Sequence, residues 1–65
     1  MKERFYIFVD SGDQVYLLGL HGEYVTRIED AMWFGDILEA KVYVDKHGLE
    51  RITTVRKVLL DSGKH

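Results

Sequence analysis

Two apolar runs near the start of the chain refuse the usual alternation of apolar and polar positions. Phe5-Tyr6-Ile7-Phe8-Val9 and Val15-Tyr16-Leu17-Leu18-Gly19-Leu20 are dense in aromatic and branched side chains, which suit strands. As strands, both would be apolar on both faces. Ser11-Gly12-Asp13 lies between them and carries turn chemistry, because glycine accepts positive φ while serine and aspartate bond nearby backbone. The pattern predicts strands over Arg4–Asp10 and Gln14–Leu20, joined as an antiparallel hairpin.

His21-Gly22 marks a second turn, and Glu23–Thr26 reads as a short third strand. Thr26-Arg27-Ile28-Glu29 has the form of a capping box, with a hydroxyl at the N-cap and a glutamate three residues on. It predicts a helical turn through Ala31 to Phe34, ended by Gly35. Asp36 then caps a helix from Ile37 to about His47, with Ile37, Ala40, Lys41 and Val44 on one stripe and Tyr43 beside it. Gly48 and Leu49 supply the stop. With Gly48 at C′, Leu49 meets Val44 in a Schellman motif. Arg51–Leu60 is rich in β-branched residues, yet Ile52, Val55 and Leu59 recur at helical spacing. The reading is a final strand with an irregularity or bulge, followed by a frayed Asp61–His65.

The order β-β-β-α-β predicts an α+β fold, a small antiparallel sheet with one main helix packed on one face. Residues 1–65 form a single domain with an ordered core of about 4–60. A chain of 65 residues buries only roughly 60% of its unfolded surface. Its one sizeable helix can cover only one sheet face. Phe5, Ile7, Val9, Val15 and Leu17 are assigned to the helix side, with Ala40 and Val44. That leaves Tyr6, Phe8, Tyr16 and Leu18 on an open face, with Trp33 as a further contact candidate. Two readings of that remainder stay open. It forms a second small core under Trp33-Phe34 and the C-terminal segment, or it is an aromatic patch for a partner, since tyrosine and tryptophan dominate binding hot spots.

Composition narrows the functional classes. The chain is 46% hydrophobic and 12% aromatic, which argues for a folded domain. It has no cysteine, so neither disulfides nor thiolate metal sites staple it. That usage, with no signal-peptide pattern after Met1-Lys2-Glu3-Arg4 and no apolar run near the ~20 residues of a bilayer span, makes the cytoplasm the expected location. His21, His47 and His65 lack zinc spacing, and the glycines form no phosphate-binding loop. Asp10 and Asp13 flank a glycine but lack the other ligands of a calcium loop. No catalytic residue, metal site or cofactor is expected. Net charge is −2, but Asp10–Glu39 holds seven acids and one base, whereas Ala40–His65 holds six bases and three acids. Such asymmetry can steer a charged partner, and it is equally what an ordinary solvated surface presents.

The run Tyr24-Val25-Thr26-Arg27-Ile28-Glu29-Asp30-Ala31-Met32-Trp33-Phe34, followed by Glu39-Ala40-Lys41-Val42-Tyr43-Val44, resembles a pattern in small uncharacterised accessory proteins of Gram-positive phages and mobile elements. Their opening strands show a Tyr-Leu step, matched here by Tyr16-Leu17. The resemblance covers about residues 5–58, and Trp33 departs from the polar residue expected there. It implies a phage-type protein that binds and modulates a host protein, and it carries over no functional residue. The expectation is a non-catalytic protein-binding module using Tyr6, Phe8, Tyr16, Leu18 and Trp33, rimmed by the acidic 10–39 region, with a host protein or a second copy as partner. The alternative is single-stranded nucleic-acid binding through the same face, with Arg4, Arg51, Arg56 and Lys57 on phosphates.

Overall fold

The first strand is the axis of the molecule because both of its backbone edges are occupied. In the computed structural model, which describes residues 2–60, β1 (Lys2–Asp10) pairs antiparallel with the last strand, β5 (Thr53–Leu60), from Lys2↔Leu60 to Val9↔Thr53. That ladder takes up one edge. The other edge is divided between β2 (Val15–Leu18), opposite Phe8–Asp10, and β4 (Trp33–Phe34), opposite Phe5 and Tyr6. A two-residue β3 (Tyr24–Val25) completes the five-stranded sheet by pairing with β2.

The helix α1 (Ile37–Lys46) connects β4 to β5. Both strands run antiparallel to β1 on opposite edges of it, so they run parallel to each other. A connection between parallel strands must cross a sheet face, and this one crosses over β1. Ala40 and Val44 therefore meet Ile7, Val9 and Leu18 in the main core. Phe5, Tyr16, Met32, Phe34, Tyr43, Leu49 and Val55 pack around it. Ile7 and Ala40 are both 0% exposed. An alanine at that point lets the helix axis approach the strand closely. The α+β architecture, with one helix on one face of an antiparallel sheet, is the one expected.

Both helix ends follow their local chemistry. The Leu38 N–H donates to the Asp36 carboxylate at 2.9 Å, satisfying one orphan donor of the first turn. At the other end Gly48 takes φ +67°. The Leu49 N–H donates to the Val44 carbonyl at 3.0 Å and the Gly48 N–H to the Asp45 carbonyl at 3.2 Å, the paired bonds of a Schellman stop.

Two local expectations are corrected. The segment after Thr26 forms only a 3₁₀ turn, Ile28–Asp30, with no side-chain cap. Ala31–Phe34 is not helical, because the sheet claims its backbone. Ala31 bridges to Gly19, the Met32 N–H donates to the Leu18 carbonyl at 2.9 Å, and Trp33 and Phe34 pair with β1. The last strand has no bulge over Thr53–Leu60, since its register with β1 is unbroken. Ile52 supplied the helical spacing, and it lies in the turn before the strand, its N–H donating to Leu49. The fraying expected at Asp61–His65 lies outside the described residues.

Strand β2 ends where the chain tightens. The Gly19 N–H donates to the Glu23 carbonyl at 2.7 Å, and the Glu23 carboxylate accepts from the His21 N–H at 2.8 Å. A Cβ on Gly19 would stand 2.6 Å from Glu23 Cδ, so a larger residue there would push the Glu23 carboxylate off the His21 N–H. Backbone donors of Glu23 itself and of His21 hold the carboxyl below its ordinary value.

Three stability outcomes follow from this frame. Ile7→Ala should cost about 3 kcal/mol and Asp36→Ala about 1 kcal/mol, both read by chemical denaturation. An Ile7→Ala loss no larger than that of the cap would contradict the placement of the core. The lowered Glu23 pKa means that its contribution is intact above the ordinary value of 4.5 and disappears as pH falls through the lower folded value. Glu23→Gln should therefore flatten part of the acid limb of a stability-against-pH curve, and an unchanged limb would show that the turn carboxylate is uncoupled from folding.

Candidate functional site

The sheet face opposite α1 is built by strand parity. On β1 the even positions Lys2, Arg4, Tyr6, Phe8 and Asp10 point away from the helix. The register Phe8↔Leu17 adds Val15 and Leu17 from β2, Leu17↔Val25 adds Val25, Tyr6↔Trp33 adds Trp33, and Tyr6↔Arg56 adds Thr54, Arg56, Val58 and Leu60. A second small core forms there from Tyr6, Leu17 and Ala31, with Phe8, Val25 and Val58 against it.

The five side chains expected to share this face are divided. Tyr6, Phe8 and Trp33 are on it. Tyr16 and Leu18 are not, and they pack on the helix side with Ile7 and Val9. Val15 and Leu17, assigned to the helix core from sequence, lie on the open side, and Val15 is largely exposed. The cause is the connecting loop. Four residues, Ser11–Gln14, separate the paired Asp10 and Val15, so even positions of β1 oppose odd positions of β2. The Ser11 N–H donates to the Gln14 carbonyl at 3.0 Å and Gly12 takes φ +96°, which fixes that loop length. Tyr16 instead stacks on Tyr24 with ring centroids 5.9 Å apart.

Exposure separates the remaining three. Tyr6 is 1% exposed and serves as the floor of the face. Phe8 is half-buried, and Trp33 is 47% exposed. Trp33 stays in place because the guanidinium carbon of Arg4 lies 4.2 Å from its ring centroid, a cation–π contact. The Arg4 Nε is buried and, among the described residues, has no hydrogen-bond partner. Arg56 stands over Phe8 at 6.0 Å. Phe8, Asp10, Val15, Thr54 and Arg56 line a hollow of about 350 Å³. The face is thus a buried tyrosine flanked by two arginine–aromatic pairs.

The charged strand positions of the face are mainly cationic. Lys2, Arg4 and Arg56 are cationic, and the one strand acid on this face, Asp10, accepts from the Gly12 N–H at 2.9 Å. Of the other cations considered for phosphates, Lys57 is on the helix side, 3.9 Å from the Glu3 carboxylate, and Arg51 is in the turn before β5. Both partners of the Lys57–Glu3 pair are exposed, so the contact adds little to stability. Among the described residues no three His, Cys, Asp or Glu side chains converge as metal ligands, and no helix is long and apolar enough to cross a membrane.

Sequence reasoning missed one apolar surface. Leu38 and Val42 stand on the outer side of α1, 66% and 64% exposed. Their i, i+4 spacing was the available signal.

The Arg4–Trp33 contact yields a double-mutant cycle. Arg4→Met and Trp33→Leu, singly and together, should show a coupling energy of about 0.5–1 kcal/mol in unfolding. Zero coupling would mean that the two side chains do not hold each other. Set against protein-family models, curated proteins and solved structures, the chain finds no match in any of the three, and the open face has to be read from its own residues.

Proposed function

We propose that the chain is a non-catalytic protein-binding module whose open sheet face takes an acidic, partly apolar surface of a partner protein. The observation that carries this reading is the half-exposed Trp33 ring held under the Arg4 guanidinium, on a face that also bears Arg56 and Lys2. A rigid aromatic loses little conformational freedom on binding, and tryptophan and arginine are the residue types richest in hot spots. A carboxylate that reaches the Arg4 guanidinium would form a charge-assisted hydrogen bond with it. The cations on the strands of this face are what support an acidic target over a basic one. That the target is a host protein, and the chain phage-derived, rests on the sequence resemblance alone.

Single-stranded nucleic acid is the second reading, supported by the cations and aromatics on one face. Base stacking needs free ring faces on successive aromatics. Here Tyr6 is buried and Arg4 covers one side of Trp33, which favours a protein surface.

The test uses the chain's one tryptophan as its own probe. A protein captured from bacterial lysate and then purified should change Trp33 fluorescence on titration. Trp33→Ala should weaken its binding by at least about 2 kcal/mol, roughly 30-fold. Arg56→Glu should weaken it too, and added salt should mimic that effect. If both variants keep every captured protein, the open face is not the site. If an oligothymidylate titration instead changes the fluorescence with a steep salt dependence, the nucleic-acid reading replaces this one.

A further inference from the structure

The outer edge of β5 is a second surface, which shares Arg56 with the open face. β5 is eight residues long and pairs only with β1 among the described residues. The Asp10 N–H donates to the Ile52 carbonyl at 2.9 Å. Residues 10 and 52 therefore form a hydrogen-bonded pair, and such pairs alternate along an antiparallel ladder. With the register of Phe8↔Thr54 and Tyr6↔Arg56, Thr54, Arg56, Val58 and Leu60 direct their backbone groups toward β1. Thr53, Val55, Lys57 and Leu59 direct theirs outward. An exposed edge of this length is a template for another strand.

The surroundings of the edge define what would fit. On the helix side, Lys41, Val44, Glu50, Thr53, Thr54 and Val55 line a groove of about 430 Å³ between α1 and β5. The side chain of an added residue opposite Val55 would enter that groove, where Val44 and Val55 offer apolar walls. On the other side, the Arg56 guanidinium leans inward over Phe8, 6.0 Å from the ring centroid, and a carboxylate on an added residue opposite Arg56 would draw it toward the edge. Over Thr53–Leu60 the strand carries two cations, Arg56 and Lys57, and no acid.

A second copy of the chain fits poorly. Two β5 edges can pair antiparallel only by matching outward residues with outward residues. The two registers that align most of the strand set either Arg56 against Arg56 or Lys57 against Lys57. Like charges directly opposed are destabilising, and charged residues in mid-strand are a common guard against edge-to-edge association. Arg56, on the open side of the strand, suits a carboxylate on an added strand, whereas Lys57 on the helix side already lies 3.9 Å from Glu3.

We infer that β5 accepts an extended acidic segment of another protein by strand addition, with an apolar side chain in the α1–β5 groove and a carboxylate opposite Arg56. The backbone supplies affinity and the groove and Arg56 supply sequence preference, as in other strand-addition sites.

The probe is a synthetic peptide of alternating valine and glutamate, as long as β5, with a valine–lysine peptide as control. Amide hydrogen exchange read by NMR supplies the main observable. In the free protein the amides of Val55, Lys57 and Leu59 should exchange quickly while those of Thr54, Arg56 and Val58 are protected. The acidic peptide should slow exchange at Val55, Lys57 and Leu59 by about tenfold or more, and the lysine peptide should not. Arg56→Glu should weaken the acidic peptide about fivefold. Val55→Pro removes one outward N–H without touching the β1 ladder, and should abolish the added protection while Trp33 fluorescence still reports a folded chain. Protection by neither peptide, or equally by both, overturns the inference. Protection that rises with protein concentration alone, with larger species in sedimentation, assigns the edge to a second copy and overturns it too. Because the readout is amide protection on β5, its failure leaves the open-face proposal standing, and the reverse holds as well.

Discussion

The β1–β5 ladder is the constraint on which the rest of the structure depends. It joins the two ends of the described chain over eight residue pairs. Its consequences are largely topological. With β5 on one edge of β1 and β4 on the other, α1 must pass across β1, and only one face can receive it. The helix then buries the odd-numbered side chains Ile7 and Val9 and leaves the even-numbered ones uncovered. The open face exists because a ten-residue helix, about 15 Å long, is the only long element available as a second layer. A chain of this size has no further layer to spend on the other side.

The same ladder redistributes the charge that the chain carries in blocks. Counted by segment, the middle is acidic and the end is basic. Antiparallel pairing folds the sequence back on itself, so Arg56 is set beside Tyr6, and Arg4 beside Val58. Arginines from opposite ends of the chain thereby share one face with Trp33 and Phe8. Charge blocks describe a solvated coil, and a sheet redistributes them by register.

Legibility followed the range of the interaction. Helix α1 was readable from Asp36 to Leu49 because its caps are local chemistry. The odd-in, even-out reading of β1 was also right, since β1 is central and its smaller branched residues suit the close helix. The faces of β2 were inverted because Val15-Tyr16-Leu17-Leu18 is apolar at every position, and periodicity cannot choose a face where there is no period. The choice was made by four loop residues, whose number sets the parity. β4 was missed for a related reason. Two residues carry no period at all, and the threonine–glutamate spacing before them imitates a helix start. Its pairing comes from the free stretch of β1 beside Phe5 and Tyr6, which no local window contains.

The two proposed surfaces arise from one shortage. A sheet with too few layers leaves a face, and a sheet with too few strands leaves an edge. The chain treats them differently. The face is partly closed from within, by burying Tyr6 against Leu17 and Ala31 and by laying arginines over the rings of Trp33 and Phe8. These stems and guanidinium planes shield apolar area while keeping charge in water. Among the described residues no strand covers the edge, which carries Arg56 and Lys57 in mid-strand, like charges that would oppose each other in a self-pair. A guard made of charge is selective by its sign. It opposes cationic and self pairing, and it favours any strand that presents carboxylates in the matching register. On the proposal made for this edge, the charge that opposes self-pairing is also what would specify its partner.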